Sequence, residues 1–480
     1  MRSLCERDRC LKAGSNALGN LSKLAAQLKR RPIDTFAISP TGKITEAEIN
    51  EEALMNIVFS ADFNLFIYNQ LPGMLTRSLR GNDDQLVRLF AITEGAVAAV
   101  STRREARAIA RRIKPAKRTG GTTKAKGDRV EGRDAAALAY FSSTMFFATT
   151  CADFNPPWAR SEDVSNRQPA INAAADALAP EALYPFSRTT VRNLSTASYC
   201  RGWQQRAALP AIAPGPLPNV PTLALEGTLD LRTPIAWAEK AIAGNPRAEL
   251  VKIPSTGHSV VGTDLSGCAL SLAKRFLIYG ATDGKCKKTT GPLPIAPLPP
   301  TSVRNTTSPP GHCTGLSASK CQRARREVAA GYLGLRDTLD QVLIGGMDAG
   351  TGLVDGEWEM EYDISDDLTT IFPVGFFMES VSTVPDASVT GFVDTTALPG
   401  VFATLRFDGF KMSVSGSVSA DRALDKLTIS GRRGKAHVTV FIKPSKKAKS
   451  SGSRPINNKA LAVRRNYLLG TAAPLWQRQP

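Results

Sequence analysis

The chain has few of the residues that hold metals. Its 480 residues include only three histidines, His258, His312 and His437, far apart in sequence, and no Cys-x-x-Cys pair. Protein zinc sites draw their ligands from such residues at short spacing, so no metal site and no cofactor is expected. Long hydrophobic runs are also scarce. One apolar run without charge, residues 135–152 (AAALAYFSSTMFFATTCA), barely reaches the length needed to cross a bilayer, carries five Ser or Thr residues, and is flanked by Asp134 and Asp153. We expect a buried helix leading into a strand there, and no transmembrane segment. The first twenty residues lack the apolar stretch of a secretory signal.

Negative charge is missing from two places. Residues 103–133 carry twelve Lys or Arg against three acids, and residues 443–480 carry nine basic residues and no acid. Together these segments account for the whole formal charge of +18, leaving the body of the protein neutral. A basic groove built into the fold, and with it specific nucleic-acid binding, is therefore not expected. Both segments are rich in Gly, Ser, Thr and Pro, which reads as a solvated loop and a solvated tail.

What is present begins with eight cysteines: Cys5, Cys10, Cys151, Cys200, Cys268, Cys286, Cys313 and Cys321. An even count points to disulfides and an oxidising compartment. Sequence allows 105 pairings of eight cysteines; the nearest-neighbour set (5–10, 151–200, 268–286, 313–321) leaves none unpaired and is the expectation.

Residues 22–90 read as mostly helical, with a small β element at DTFAISPTGKI. Thr45 to Glu48 (TEAE) has the form of a capping box opening a helix through Ile49, Leu54, Ile57 and Val58. Further on, 222–225 and 250–253 are apolar strands separated by a helix at 234–243. A strand, helix, strand unit of this length implies adjacent parallel strands, and parallel sheets need cover on both faces. Seven prolines between Pro292 and Pro310 suggest a semi-rigid linker. An amphipathic helix at 320–343 then precedes alternating segments typical of antiparallel strands. His437 falls in one of these and is read as structural.

Two side chains carry chemistry. Asp230 follows the first parallel strand (VPTLALEGTLDLRTP) and His258 follows the second (VKIPSTGHSV). Open α/β sheets build active sites at such strand ends. In a hydrolytic triad a carboxylate fixes the tautomer of the histidine that serves a nucleophile, and acid before histidine is the chain order of the α/β-hydrolases. Together with GCALSLAKRFLIYG and with CADF and SYCRGW upstream, these motifs resemble the carboxy-terminal region of the tripeptidyl aminopeptidase-like α/β-hydrolases, relatives of the proline iminopeptidases, over about residues 5–286.

The resemblance implies an α/β fold, here an incomplete α/β-hydrolase fold: a helical lid and the last parallel strands, joined by a Pro-rich linker to a small antiparallel β domain. The expected divisions are a lid at 1–200 with a basic insertion at 103–133, a hydrolase core at 201–286, the linker at 287–318, a helix and β domain at 319–443, and a basic disordered tail at 444–480. It further implies a secreted or envelope enzyme acting on peptide amino termini, with Asp230 and His258 catalytic. Asp153, on the lid, is a candidate partner for the substrate's ammonium group.

The nucleophile is the departure. No serine lies in a Gly-x-Ser-x-Gly elbow, and the cysteine form GHCTG at Cys313 follows His258 instead of preceding Asp230. The reading places Met1 inside the lid region, after the elbow, with a separately encoded amino-terminal half as partner. The alternative is a non-catalytic secreted or envelope-associated binding protein that uses its β domain and basic tail.

Overall fold

The computed structural model describes residues 10, 13, 16–113, 143–203, 218–282, 293–364, 371–396, 398, 400–407, 409–419 and 422–444. Cys5 and Cys286, the greater part of the basic insertion and the basic tail beyond residue 444 lie outside them.

Helix α1 (Ala17–Arg30) buries Leu21, Leu24, Ala25 and Leu28, the spacing of a single helical face, and Asn16 caps it by accepting from the Gly19 N–H. A hairpin follows, β1 (Ile33–Ile38) with β2 (Ile44–Ile49), in the register Ile33↔Ile49. This corrects the expected capping box. In ITEAEI the two-residue alternation and cross-strand pairing prevail, and Asn50, accepting from the Ala53 N–H at 3.0 Å, opens α2 (Glu51–Ser60) instead. Strand β3 (Ala98–Val100) pairs with β1, so the helical block does contain a three-stranded antiparallel sheet. Helices α3 (Leu65–Ser78) and α4 (Asp84–Thr93) complete the block. The amino-terminal part of the basic insertion is a helix, α5 (Arg103–Arg112), capped by Thr102 and packed through Ala106 and Ile109 against β1 and β3. A wholly irregular loop is thus corrected for its first ten residues.

The uncharged run ends as the helix Ser143–Asp153, with Met145 exposed; turns follow it, not the expected strand. Among the described residues no helix is long and apolar enough to cross a membrane. Cys151 is joined to Cys200, and Trp158, Ile171 and Ala197 form a small core beside that bond. Glu51 ties this region to α2 by accepting from the Ser187 N–H and the Ser187 and Thr190 hydroxyls.

Strands β4 (Thr222–Gly227) and β5 (Ala248–Ile253) are parallel, with the helix Ile235–Ile242 between them and the helix Cys268–Tyr279 after them. Their core is a separate one: Val251, Ile253, Ala269 and Leu272, with Leu223 and Leu225 against it.

The carboxy-terminal sheet is larger than the sequence suggested. Among the described residues nine antiparallel strands run in the order β6-β14-β13-β12-β11-β10-β9-β8-β7: β6 (Gly311–Thr314), β7 (Ala349–Thr351), β8 (Asp355–Ile364), β9 (Ile371–Val384), β10 (Ala387–Asp394), β11 (Gly400–Phe407), β12 (Phe410–Ser417), β13 (Lys426–Arg433) and β14 (Ala436–Ile442). The helix Ala318–Asp340 lies on one face. It can come close because Gly331 faces the Phe407 ring, where a Cβ would sit only 1.9 Å from it. The disulfide Cys313–Cys321 links β6 to this helix, and Cys10 and Cys268 are disulfide-bonded as well.

Two consequences revise the expected layout. The proline-rich segment is not a free spacer. Leu293 and Ala296 are buried, the Asn69 side chain of α3 donates to the Pro294 carbonyl at 2.8 Å, and the Ala296 N–H donates to the Asn69 carbonyl. Residues 311–314, expected in the linker, pair with β14. Moreover one continuous core runs from α1–α4 through Leu293 and the helix Ala318–Asp340 to the nine-stranded sheet. Helical block and β unit are therefore packed as one body, and expected domain limits do not coincide with the cores.

Candidate active site

The parallel strands deliver Asp230 and His258 to one place. The His258 imidazole Nδ1 and Asp230 Oδ2 are 2.9 Å apart, the aspartate side chain 1% and the histidine 31% exposed. Asp230 is held by its own turn. Its Oδ1 accepts from the backbone N–H of Arg232 (2.7 Å) and of Thr233 (3.0 Å), and its Oδ2 from the Thr233 hydroxyl (2.7 Å). The LDLRTP sequence thus folds into a cage for a carboxylate. Burial opposes the charge, but the hydrogen bonds from His258, Thr233 and Arg232 outweigh it and hold Asp230 well below the usual carboxylate range. In the neutral imidazole, an Nδ1–H that donates to an ionised Asp230 leaves Nε2 unprotonated, the tautomer a general base requires.

The other wall comes from the turn between α2 and α3. Asp62, fully buried, accepts from the Leu231 N–H at 3.2 Å and pairs with Arg232 at 3.2 Å. Burial pushes its carboxyl up to about 6 although Arg232 pulls it down. The Arg232 guanidinium lies over the rings of Phe59 and Phe63 (4.5 and 4.4 Å to their centroids), and Phe63 meets the His258 imidazole edge-on at 5.2 Å. The Asp62 carbonyl accepts from the His258 N–H at 2.9 Å, and Tyr68 donates to the Leu229 carbonyl at 2.9 Å. None of these helpers was foreseen, because residues 160–200 positions apart leave no trace of their contact in one sequence.

Glu226, near the end of β4, was also missed. It is buried, and among the described residues its Oε1 has no hydrogen-bond partner. Burial, reinforced by the neighbouring Asp230 carboxylate, pushes it up to about 7 from 4.5. A carboxyl raised in the folded state contributes stability below its ordinary pKa that is lost as pH rises through the folded value. We therefore expect Glu226→Gln to match the parent near pH 4 and to exceed it by about 1–3 kcal/mol near pH 8 in urea unfolding. Parallel stability profiles for the two proteins would refute this.

The remaining expected residues lie elsewhere. Asp153 is exposed at the end of its helix, and among the described residues no hydrogen bond or ion pair joins it to Asp230 or His258. Cys313 is consumed in its disulfide. His437 contacts the Ser430 hydroxyl at 3.2 Å within the large sheet. Among the described residues no cluster of ligating side chains is placed to hold a metal.

Residues 184–288, the stretch that contains both strands, Asp230 and His258, match the family described as Abhydrolase_4, TAP-like protein. No curated protein and no solved structure matches the chain. The segment 184–288 belongs to the tripeptidyl aminopeptidase-like family of α/β-hydrolases.

Proposed function

We propose that this chain contributes the acid and the base of a tripeptidyl aminopeptidase-type serine hydrolase and works with a nucleophile that is not in this sequence. The single observation behind the reading is the 2.9 Å contact of His258 Nδ1 with a buried, strongly ionised Asp230 at neighbouring parallel strand ends. In the assembled enzyme a serine attacks the carbonyl carbon of a peptide near its amino terminus. His258 Nε2 takes the hydroxyl proton as the carbon–oxygen bond forms, Asp230 stabilises the resulting imidazolium, and the same proton passes to the leaving amine as the carbon–nitrogen bond breaks. Asp153 is the proposed partner of the substrate's ammonium group. Sequence outside these 480 residues is the proposed source of the serine and the oxyanion donors. The disulfides Cys151–Cys200 and Cys313–Cys321 suit an oxidising compartment, and we place the protein outside the cytoplasm on that ground.

Loss of a triad nucleophile costs roughly 10⁶ in turnover, so the purified chain is expected to be inactive on peptides and esters. A fluorophosphonate probe measures this directly. Incubated with the folded chain, it should leave no covalent adduct beyond that of a heat-denatured control by intact mass. Stoichiometric labelling of any serine would mean that the chain holds its own nucleophile.

A further inference from the structure

One face of the nine-stranded sheet is covered by the helix Ala318–Asp340 and the shared core; among the described residues the other presents exposed side chains, Arg406, Lys411 and Arg432 among them. On the open face the strand register aligns side chains into rows that cross the strands. One row runs Thr390↔Arg406↔Lys411↔Arg432↔His437↔Thr314 over β10, β11, β12, β13, β14 and β6. The next, two residues along each strand, runs Phe392↔Thr404↔Ser413↔Ser430 and ends at the buried Thr439. Arg406, Lys411 and Arg432 are all exposed, and none forms an ion pair among the described residues.

Three cations directly opposite one another on adjacent strands repel, and like charges in this relation weaken a sheet. Two other exposed cations are placed beside a partner: Arg433 lies over the Phe410 ring within reach of Glu327, and Lys252 pairs with Glu239. Fold stability does not account for the row. An anionic ligand does, because it converts mutual repulsion into attraction. The strands set the cations about 4.8 Å apart, close to the rise of one ring in an extended glycan, and the parallel row of hydroxyls offers partners for sugar hydroxyls. The row is bounded on its far side by acids, Glu357 opposite Glu379, beyond Thr390, so it has room for two or three anionic residues. Single-stranded nucleic acid is bound by aromatic rings interleaved with cations; here no ring stands between the three cations, since Phe377 and Phe392 lie together at the β9–β10 end of the hydroxyl row and Phe402 and Phe441 stand one row further on.

We propose that the open face of this sheet binds an acidic polysaccharide carrying one carboxylate per sugar, through Arg406, Lys411 and Arg432 with the Thr404, Ser413 and Ser430 hydroxyls beside them. The site is independent of the hydrolase reading and would hold the chain at an anionic cell-surface polymer.

Calorimetric titration of the full chain at about 0.15 M salt, where exposed charges are screened beyond ~8 Å, tests this. The probes are hexagalacturonate, neutral cellohexaose, a thymidine hexanucleotide and vesicles containing anionic lipid. Hexagalacturonate is expected to bind best. The triple variant Arg406→Ser, Lys411→Ser, Arg432→Ser should bind it about tenfold more weakly, with a Tm no lower than the parent's because repulsion is relieved. Lys411→Ser alone should show part of the loss. A triple variant of equal charge change on exposed α1 residues, Lys23→Ser, Lys29→Ser and Arg30→Ser, should stay within about twofold of the parent. The proposal is overturned if hexagalacturonate does not bind, if both triple variants lose affinity equally, or if cellohexaose, the hexanucleotide or the vesicles bind as tightly.

Discussion

Arg336→Met is expected to lower stability by about 3–5 kcal/mol, among the largest effects of any single substitution in the chain. The guanidinium lies almost completely buried on the helix Ala318–Asp340, bonded to Asp340 at 2.6 Å on its own helix and to Asp425 at 3.1 Å beside β13. Asp425 also accepts from the Tyr332 hydroxyl and the Ser419 N–H, and Arg422 reaches Asp340 from the sheet side. Removing one partner from such a network leaves buried charge uncompensated, which costs far more than the intact pair contributes. For contrast, Lys252→Ala breaks a half-exposed pair with Glu239 and should cost less than about 1 kcal/mol. The pH dependence has a definite sign. Burial already raises the Asp425 carboxyl above its ordinary range against the pull of Arg336; without Arg336 it rises further. A carboxyl raised on folding is least costly where it is protonated, so the deficit should shrink as pH falls from about 8 to about 5. Urea unfolding at the two pH values measures it. A loss below about 1 kcal/mol, or one independent of pH, would show that the network is dispensable.

Gly257→Ala should strike the candidate site itself. A Cβ on residue 257 would lie 1.8 Å from the Asp62 carbonyl oxygen, so the loop before His258 has to move away from the α2–α3 turn. That motion breaks the bond from the His258 N–H to the same carbonyl and draws the imidazole off Asp230. Overpacking and a lost buried hydrogen bond together amount to about 3 kcal/mol. The measurement is twofold: urea unfolding for stability, and the downfield proton resonance of the Asp230-bound imidazole N–H for the site. We expect the resonance to vanish or shift. Unchanged stability together with an unchanged resonance would mean that the turn does not position the histidine.

Asp230 and His258 were legible because their placement is local: each stands a few residues past an apolar strand, and one crossover helix brings the strand ends together. The antiparallel strands of the carboxy-terminal sheet were legible for a similar reason, since alternation by two is written into segments such as FKMSVSG and KLTISG. The capping box at Thr45 misled because four residues satisfy it, whereas the hairpin register of Ile33 with Ile49 depends on a strand eleven residues away.

Asp62, Arg232 and Phe63, which shape the candidate site, carry no sequence signal, because their meeting is a matter of how the helical block docks on the loops after β4 and β5. The same holds for the buried Arg336 network and for the strap of prolines along α3, which composition alone presents as a spacer. Local sequence determined which segments are strands and helices and which two side chains stand at the ends of the parallel strands, since backbone periodicity and turn chemistry act over a few residues. Tertiary packing decided which surfaces share a core, which charges are buried and paired, and that three cations line up on an open sheet face, because these depend on register and docking between segments distant in the chain.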